Sequence, residues 1–441
     1  MKMQARDTYF WEQLKRQSTR MLCSFMRDPN CEELKCHLAR LPDYLWIGED
    51  GMKMRATIGS AVWDTALGIQ AILSCDVAKE HASTLRKAHG FLKASQIMEN
   101  PAGDLKSHFR SFTKGGWSFP IADDGWSVSD CTAEALKALL LLSNISPDIV
   151  GDHAPSEIIY EAVNFMLSLQ NPDGGFSAWE LTRSYPWVEV YFAETLSFLV
   201  LDCKFICVEC TSSVIQALML FKERYPRHRM REIEQCIKAS KEYIKKTQND
   251  DGSWFGSWGI CYTYGTLFGI EGLLATGETY ANCKAIRKAC AFLLSKQLSD
   301  GGWGESQILS YIFIFQQVYT NLPGNKSNVV QTAWAMLALL KAGQIERNPA
   351  PVHRAARNLI DMQLDNGDFP QQRPDREIAI CKYWINSYEC NEYSRDDPFE
   401  LSYLICTVNI KILVIRLEIL VALTQNQSPE VEVKKVIWAE I

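Results

Sequence analysis

The sequence is poor in several things that would each define a class of protein. It has no run of 18 uncharged apolar residues, so a membrane-spanning helix is not expected. The tail from Leu401 to Leu423 comes nearest, but Lys411, Arg416 and Glu418 interrupt it. No basic tract stands out and the formal charge is −6, which argues against nucleic acid as a partner. The 15 Cys have no regular disulfide spacing, and the polar stretch Met1 to Arg20 does not read as a signal peptide. Free thiols in a reducing compartment are therefore expected. His is scarce, with seven, and His81, His89, His108 and His228 lie in charged segments. Cys207-Val-Glu-Cys210 has metal-ligand spacing, but no second Cys or His pair follows at usable distance. No metal is expected.

What is abundant is repetition. One unit reads Gln, three residues, then Gly-x-aromatic. It occurs as Gln170-Asn-Pro-Asp-Gly174-Gly-Phe176, Gln248-Asn-Asp-Asp-Gly252-Ser-Trp254, Gln297-Leu-Ser-Asp-Gly301-Gly-Trp303 and Gln363-Leu-Asp-Asn-Gly367-Asp-Phe369. A looser first copy has Gln96 and then Gly115-Gly116-Trp117. Apolar helical segments precede each Gln, and Asn, Asp and Gly supply the helix stop. A Gln amide can satisfy free backbone groups at helix ends. The aromatic can pack back on the turn.

A second unit alternates with the first, starting at Thr65, Thr132, Thr211, Thr266 and Thr332. Each Thr is read as opening a helix apolar nearly all round. The distances from each Thr to the next Gln are 31, 38, 37, 31 and 31 residues. Helices of the Gln set carry charges, as in Lys238 to Lys246, and fit a half-solvated outer shell. Alternating inner and outer helices predict an all-α fold, an α/α barrel or toroid. An open helical solenoid is the alternative. Strand signals are scarce.

Beyond the repeats, several strings resemble the oxidosqualene and squalene cyclases, and most of all the plant triterpene synthases. They are Leu41-Pro-Asp-Tyr-Leu-Trp-Ile, Glu49-Asp-Gly-Met-Lys-Met-Arg55, Trp63-Asp-Thr-Ala, Ser129-Asp-Cys-Thr-Ala-Glu134, Leu181-Thr-Arg-Ser-Tyr-Pro-Trp187, Val208-Glu-Cys-Thr-Ser212 and Gly256-Ser-Trp-Gly259. The Gln-Gly-aromatic units resemble that family's QW repeats. The resemblance runs from about Met21 to Gln372. It implies an intramolecular transferase, an isomerase that cyclises 2,3-oxidosqualene to a pentacyclic or related triterpene without a cofactor. It also implies residence on a membrane or lipid-droplet surface, on the cytosolic side of the endoplasmic reticulum.

Asp130 is, by the resemblance, the proton donor. An epoxide needs a carboxylic acid still protonated near neutrality, which burial can provide. Asp130 is expected just ahead of an inner helix, whose dipole would favour the carboxylate, so burial must win. Asp at such a place is more commonly a helix cap. Cys131 and Cys210 resemble the acid's hydrogen-bonding partners. Trp63, Phe119, Trp179 and Trp258 resemble the family's cavity aromatics, whose faces stabilise cations while excluding water. Any one of them could equally be an ordinary core aromatic. Asp124 stands where plant members often have His, and Leu196 where the family has Phe.

The expected organisation is a helical lead-in over 1–40, a barrel over 41–372 and a divergent tail over 373–441. The N-terminal half of the family's chain is absent, and Ser306 to Gln317 does not resemble the family. A barrel short of its sixth inner helix would leave a cavity seam open, so an inactive fragment is the alternative reading. A protein-prenyltransferase β subunit shares the barrel but needs an Asp, Cys and His zinc set, which is not found here.

Overall fold

A computed structural model describes residues 60–75, 77–101, 103–105, 110–122, 126–181, 206–256, 261–306, 319–365, 367, 369–370 and 372. Nearer the N-terminus it describes 30, 34–35, 38–39, 45–48 and 51–54. Two compact units divide between Gly59 and Ser60. The first contains an antiparallel hairpin of β1 (Leu45–Gly48) and β2 (Gly51–Met54), in register Leu45 to Met54. Scarce strand signals had not anticipated this hairpin.

In the second unit the two helix types separate as the repeats predict. The inner set is α1 (Ala61–Ser74), α3 (Ser129–Leu142), α6 (Val208–Arg224), α8 (Cys261–Ala275) and α10 (Val329–Lys341). The outer set is α2 (Ala82–Ala94), α5 (Ser156–Ser168), α7 (Met230–Lys246), α9 (Lys284–Lys296) and α12 (Ala350–Met362). One-turn helices, α4 (Pro147–Val150) and α11 (Gln344–Arg347), lie in connections. Each inner helix packs on the next in chain order, from α1 to α10, and each outer helix packs on the inner helix before it. A two-residue pair, β3 (Phe176–Ser177) with β4 (Ile206–Cys207), ties the turn after α5 to the start of α6. The fold is an α/α barrel arrangement, with five inner and five outer helices among the described residues.

Burial follows helix type. In α3 every residue except Leu141 is buried, as a helix covered on both sides must be. The outer helices bury one stripe: Ile159, Ala162, Val163 and Met166 in α5, and Val352, Ala355, Ala356 and Leu359 in α12. That i, i+3, i+4, i+7 spacing is one face of a helix.

The repeat residues are the fasteners. Gln297 donates its amide to two carbonyls at once, Gly301 O in its own turn at 2.8 Å and Pro351 O at the start of α12 at 2.8 Å. Gln248 does the same to Gly252 O and Ala285 O, and Gln96 to Gly115 O and Ile158 O. Each therefore joins one outer helix's end to the next outer helix. The glycine is required by contact as well as by turn geometry. Gly301 has φ +90°, and a Cβ there would lie 2.6 Å from the carbonyl oxygen of Arg354 in α12.

The aromatics close the same helix ends. Trp117, Trp254 and Trp303 are almost wholly buried, and their indole N–H groups donate to Leu92 O, Ile244 O and Leu293 O. Those carbonyls lie in the last turns of α2, α7 and α9, where the regular i+4 partners run out; Leu92 O also accepts the Ser95 N–H at 3.2 Å. Burying a ring of roughly 150–250 Å² contributes about 4–6 kcal/mol gross at about 25 cal/mol per Å².

The Thr of each inner unit does not open its helix, as the sequence suggested. Thr132, Thr211 and Thr332 are each the fourth residue of their helix. Their hydroxyl oxygens accept the backbone N–H of Trp117, Phe176 and Trp303 at 2.9–3.0 Å. Thr266 does the same for Trp254 at 3.2 Å. The Thr thus holds the preceding turn against the inner helix from one turn inside it.

Candidate active site

Asp130 lies inside the first turn of α3, as its second residue, and not ahead of the helix. The extended Val128 occupies the cap position, so Asp130 is not the helix cap. The residue is 8 % exposed. Oδ1 accepts the backbone N–H of Cys131 at 2.7 Å. Oδ2 accepts the Cys210 thiol at 3.6 Å, reached from the third residue of α6. The Cys131 thiol is a further side-chain partner. The structure thus brings Asp130, Cys131 and Cys210 together.

Burial is the largest influence on Asp130 and pushes its pKa up from 3.8 to about 6. The Cys131 N–H and the two thiols pull the other way, and the Glu134 charge adds to the rise. Burial outweighs these hydrogen bonds. At pH 7 a pKa of about 6 leaves roughly one acid in ten protonated.

The four aromatics are placed as follows. Trp63, on α1, and Phe119, in the turn before α3, stand 6.2 Å apart and are half-buried. Trp179, half-buried, meets Trp126 at 5.9 Å. All three pack on the core cluster that contains Cys131 and Cys210. Trp258 lies outside the described residues, as do Asp124, Leu196, Cys203, 307–318 and 373–441.

Several polar residues at this end escaped the sequence reading. Glu180 accepts from Arg110 Nε at 2.9 Å, from the Ser111 N–H at 2.8 Å and from the Trp126 indole at 3.3 Å. The Arg110 guanidinium also lies 4.4 Å from the centre of the Trp126 ring. These contacts fix the loop against which Trp179 rests. Asp64, beside Trp63, is a second buried carboxyl. Burial raises it to about 6, against the hydrogen bond from Ser60.

Further along the helices, a polar chain crosses the five inner helices among the described residues and reaches the exposed Lys341. Gln70 donates to Glu134 at 2.7 Å, and Lys137 pairs with Glu134 and donates to Gln216 at 3.1 Å. Gln216 reaches Glu271 at 3.5 Å, and Glu271 pairs with Lys341. Burial pushes Glu271 up, but Lys341 and Lys137 outweigh it and hold the carboxyl below its ordinary range. The inner helices are therefore less apolar than expected. The signal was available as isolated charges, Glu134, Lys137 and Glu271, within otherwise apolar inner segments.

Comparison with known proteins fits this geometry. A model of the squalene-hopene cyclase C-terminal domain matches residues 59–384. The chain is 46% identical over 353 residues to alpha-onocerin synthase LCD of Lycopodium clavatum, covering 80% of this chain and 45% of that protein. It is 43% identical over 344 residues to the lanosterol synthase of Homo sapiens, covering 76% and 45%. A cycloartenol synthase of Dictyostelium discoideum is 41% identical over 354 residues, covering 80% and 48%. The type II terpene cyclase MstE from Scytonema superposes at TM-score 0.48 with 16% identity, covering 85% of this chain and 92% of that one. The family assignment rests on the sequence matches alone. The chain spans about half the length of the curated relatives it matches. Both by the domain matched and by this identity, the chain belongs to the oxidosqualene and squalene-hopene cyclase family and carries its C-terminal domain.

Proposed function

We propose that this chain carries the acid-bearing half of an enzyme that cyclises 2,3-oxidosqualene to a pentacyclic or related triterpene. The observation that carries the reading is Asp130: a buried carboxyl, raised by desolvation, with an N–H on one oxygen and a thiol on the other. Protonated Asp130 gives its proton to the epoxide oxygen as the C–O bond breaks. The Cys131 N–H and Cys210 S–H stabilise the carboxylate left behind. The electron deficit then passes along the alkenes. Trp63, Phe119, Trp179 and Trp258 supply faces worth about 0.5–2 kcal/mol each toward a cation. A carbocation that meets water is quenched, so the apolar wall is part of the chemistry.

The proposed substrate is almost wholly apolar apart from its epoxide oxygen, and a peripheral site on the endoplasmic reticulum or a lipid droplet is proposed with it. Among the described residues no helix is long and apolar enough to cross a membrane. The test is incubation of the detergent-solubilised chain with 2,3-oxidosqualene, followed by mass-spectrometric search for cyclic products. Product from the wild type and none from Asp130→Asn is expected. No product while a full-length relative works alongside would refute activity of this chain. It would favour the second reading, an inactive fragment.

A further inference from the structure

The Cys-x-x-Cys spacing at 207–210 leaves a feature that the acid chemistry does not use. Cys207 is the last residue of β4 and caps α6 in extended conformation, and Cys210 is the third residue of that helix. The strand-to-helix corner turns both side chains inward. Their sulfurs are 2.6 Å apart, with Cys207 donating to Cys210. Cys210 in turn donates to Asp130. Both thiols are free. A disulfide bond is about 2.05 Å long, so about half an ångström of sulfur movement separates the pair from one.

We propose that Cys207 and Cys210 form a reversible dithiol–disulfide site whose oxidant is a low-molecular-weight disulfide, and whose oxidation removes the thiol donor from Asp130. The Cys207 thiolate attacks one sulfur of the small disulfide and expels one thiolate, giving a mixed disulfide. The Cys210 thiolate then attacks the Cys207 sulfur and expels the second. The protein loses two protons and two electrons, which the small disulfide takes up to become two thiols. Burial pushes both thiols up, Cys210 the further, which makes Cys207 the attacking group and the reaction slow. Once oxidised, Cys210 has no S–H to give, and Asp130 keeps only its Cys131 contacts. The carboxylate loses a stabilising partner, so the acid becomes weaker. That consequence rests on the acid role proposed above, whereas the disulfide does not.

The site is tested at equilibrium. The reduced chain is held in a series of reduced-to-oxidised glutathione ratios, acid-quenched, denatured, alkylated, digested and weighed. The peptide carrying 207–210 should lose both alkyl groups and two hydrogens as the ratio falls, and dithiothreitol should restore them. Half-exposed Cys75 reports that the oxidant is active by taking up glutathione. Full alkylation of Cys207 and Cys210 where Cys75 is modified overturns the site, as does a Cys131–Cys210 link. Where cyclisation is measurable, it should fall in the oxidised wild type, and C207S should be insensitive to the oxidant. A disulfide that forms with no loss of cyclisation overturns the link to Asp130 and leaves the redox site standing.

Discussion

Replacing Asp130 by Asn should stabilise the fold above pH 7 and weaken it below pH 4. The folded carboxyl has its pKa raised from 3.8 to about 6, chiefly by burial. A raised carboxyl pKa means that the native state binds the proton more tightly than the unfolded chain does. Its stabilising contribution is full below about pH 3.8 and is lost as pH rises through about 6. About two pKa units at 1.36 kcal/mol each make the ionised acid cost about 3 kcal/mol at pH 8. Asn keeps the neutral shape and one oxygen for the Cys131 N–H, but its NH₂ cannot accept the Cys210 thiol. Losing that bond costs about 1 kcal/mol. The variant should therefore gain about 2 kcal/mol at pH 8 and lose about 1 kcal/mol at pH 4, with the sign changing between. Urea unfolding of both proteins at unit pH steps, followed by tryptophan fluorescence, reads this directly. A loss of equal size at every pH would show that Asp130 is ionised at an ordinary pKa, and the desolvation reasoning would be wrong.

Two further outcomes concern the fasteners. Gln297→Ala removes donations to two carbonyls, about 1–3 kcal/mol together, so amides around 301 and 351–355 should exchange with solvent roughly fivefold to a hundredfold faster. Gln363→Ala removes a donation to Gly367 O within its own turn, and its effect should stay there. Equal and distant effects in both variants would refute the bridging role. Thr332→Val leaves the buried Trp303 N–H without its acceptor and should cost about 1–3 kcal/mol. Thr332→Ser, which keeps the hydroxyl, should recover most of that, and a lower urea midpoint for Ser than for Val would contradict the account.

The sequence made the alternation of inner and outer helices readable, because two surface types recur at fixed distances. It also made the Gln and aromatic roles readable in kind, since helix ends need donors and acceptors. The Thr lies three to five residues further into its helix than the pattern suggests. Its hydroxyl serves a turn 12 to 35 residues earlier, and no local pattern shows that. Asp130 was found from its neighbours Cys131, Thr132, Ala133 and Glu134, but its place within the helix needed the extended Val128. The polar chain from Gln70 to Lys341 joins side chains separated by 55 to 79 positions at each helix-to-helix step. Such partners are chosen by packing. The Glu180 cluster is hidden for the same reason, since Arg110 is 70 residues away.

The bridging Gln has a consequence for how the chain acquires its structure. Each one ties an outer helix to the next outer helix in order, and Thr132, Thr211, Thr266 and Thr332 each tie a turn to the inner helix that follows it. Pairing partners are thus adjacent units, and each loop that a bridging Gln closes spans 37 to 66 residues rather than the whole chain. Loop-closure entropy grows only slowly with length, and local contacts favour fast folding. Such an array can nucleate at any unit and extend in either direction, as stacked repeats do. Asp130 then finds its Cys210 partner after a single extension step, from the second inner helix to the third.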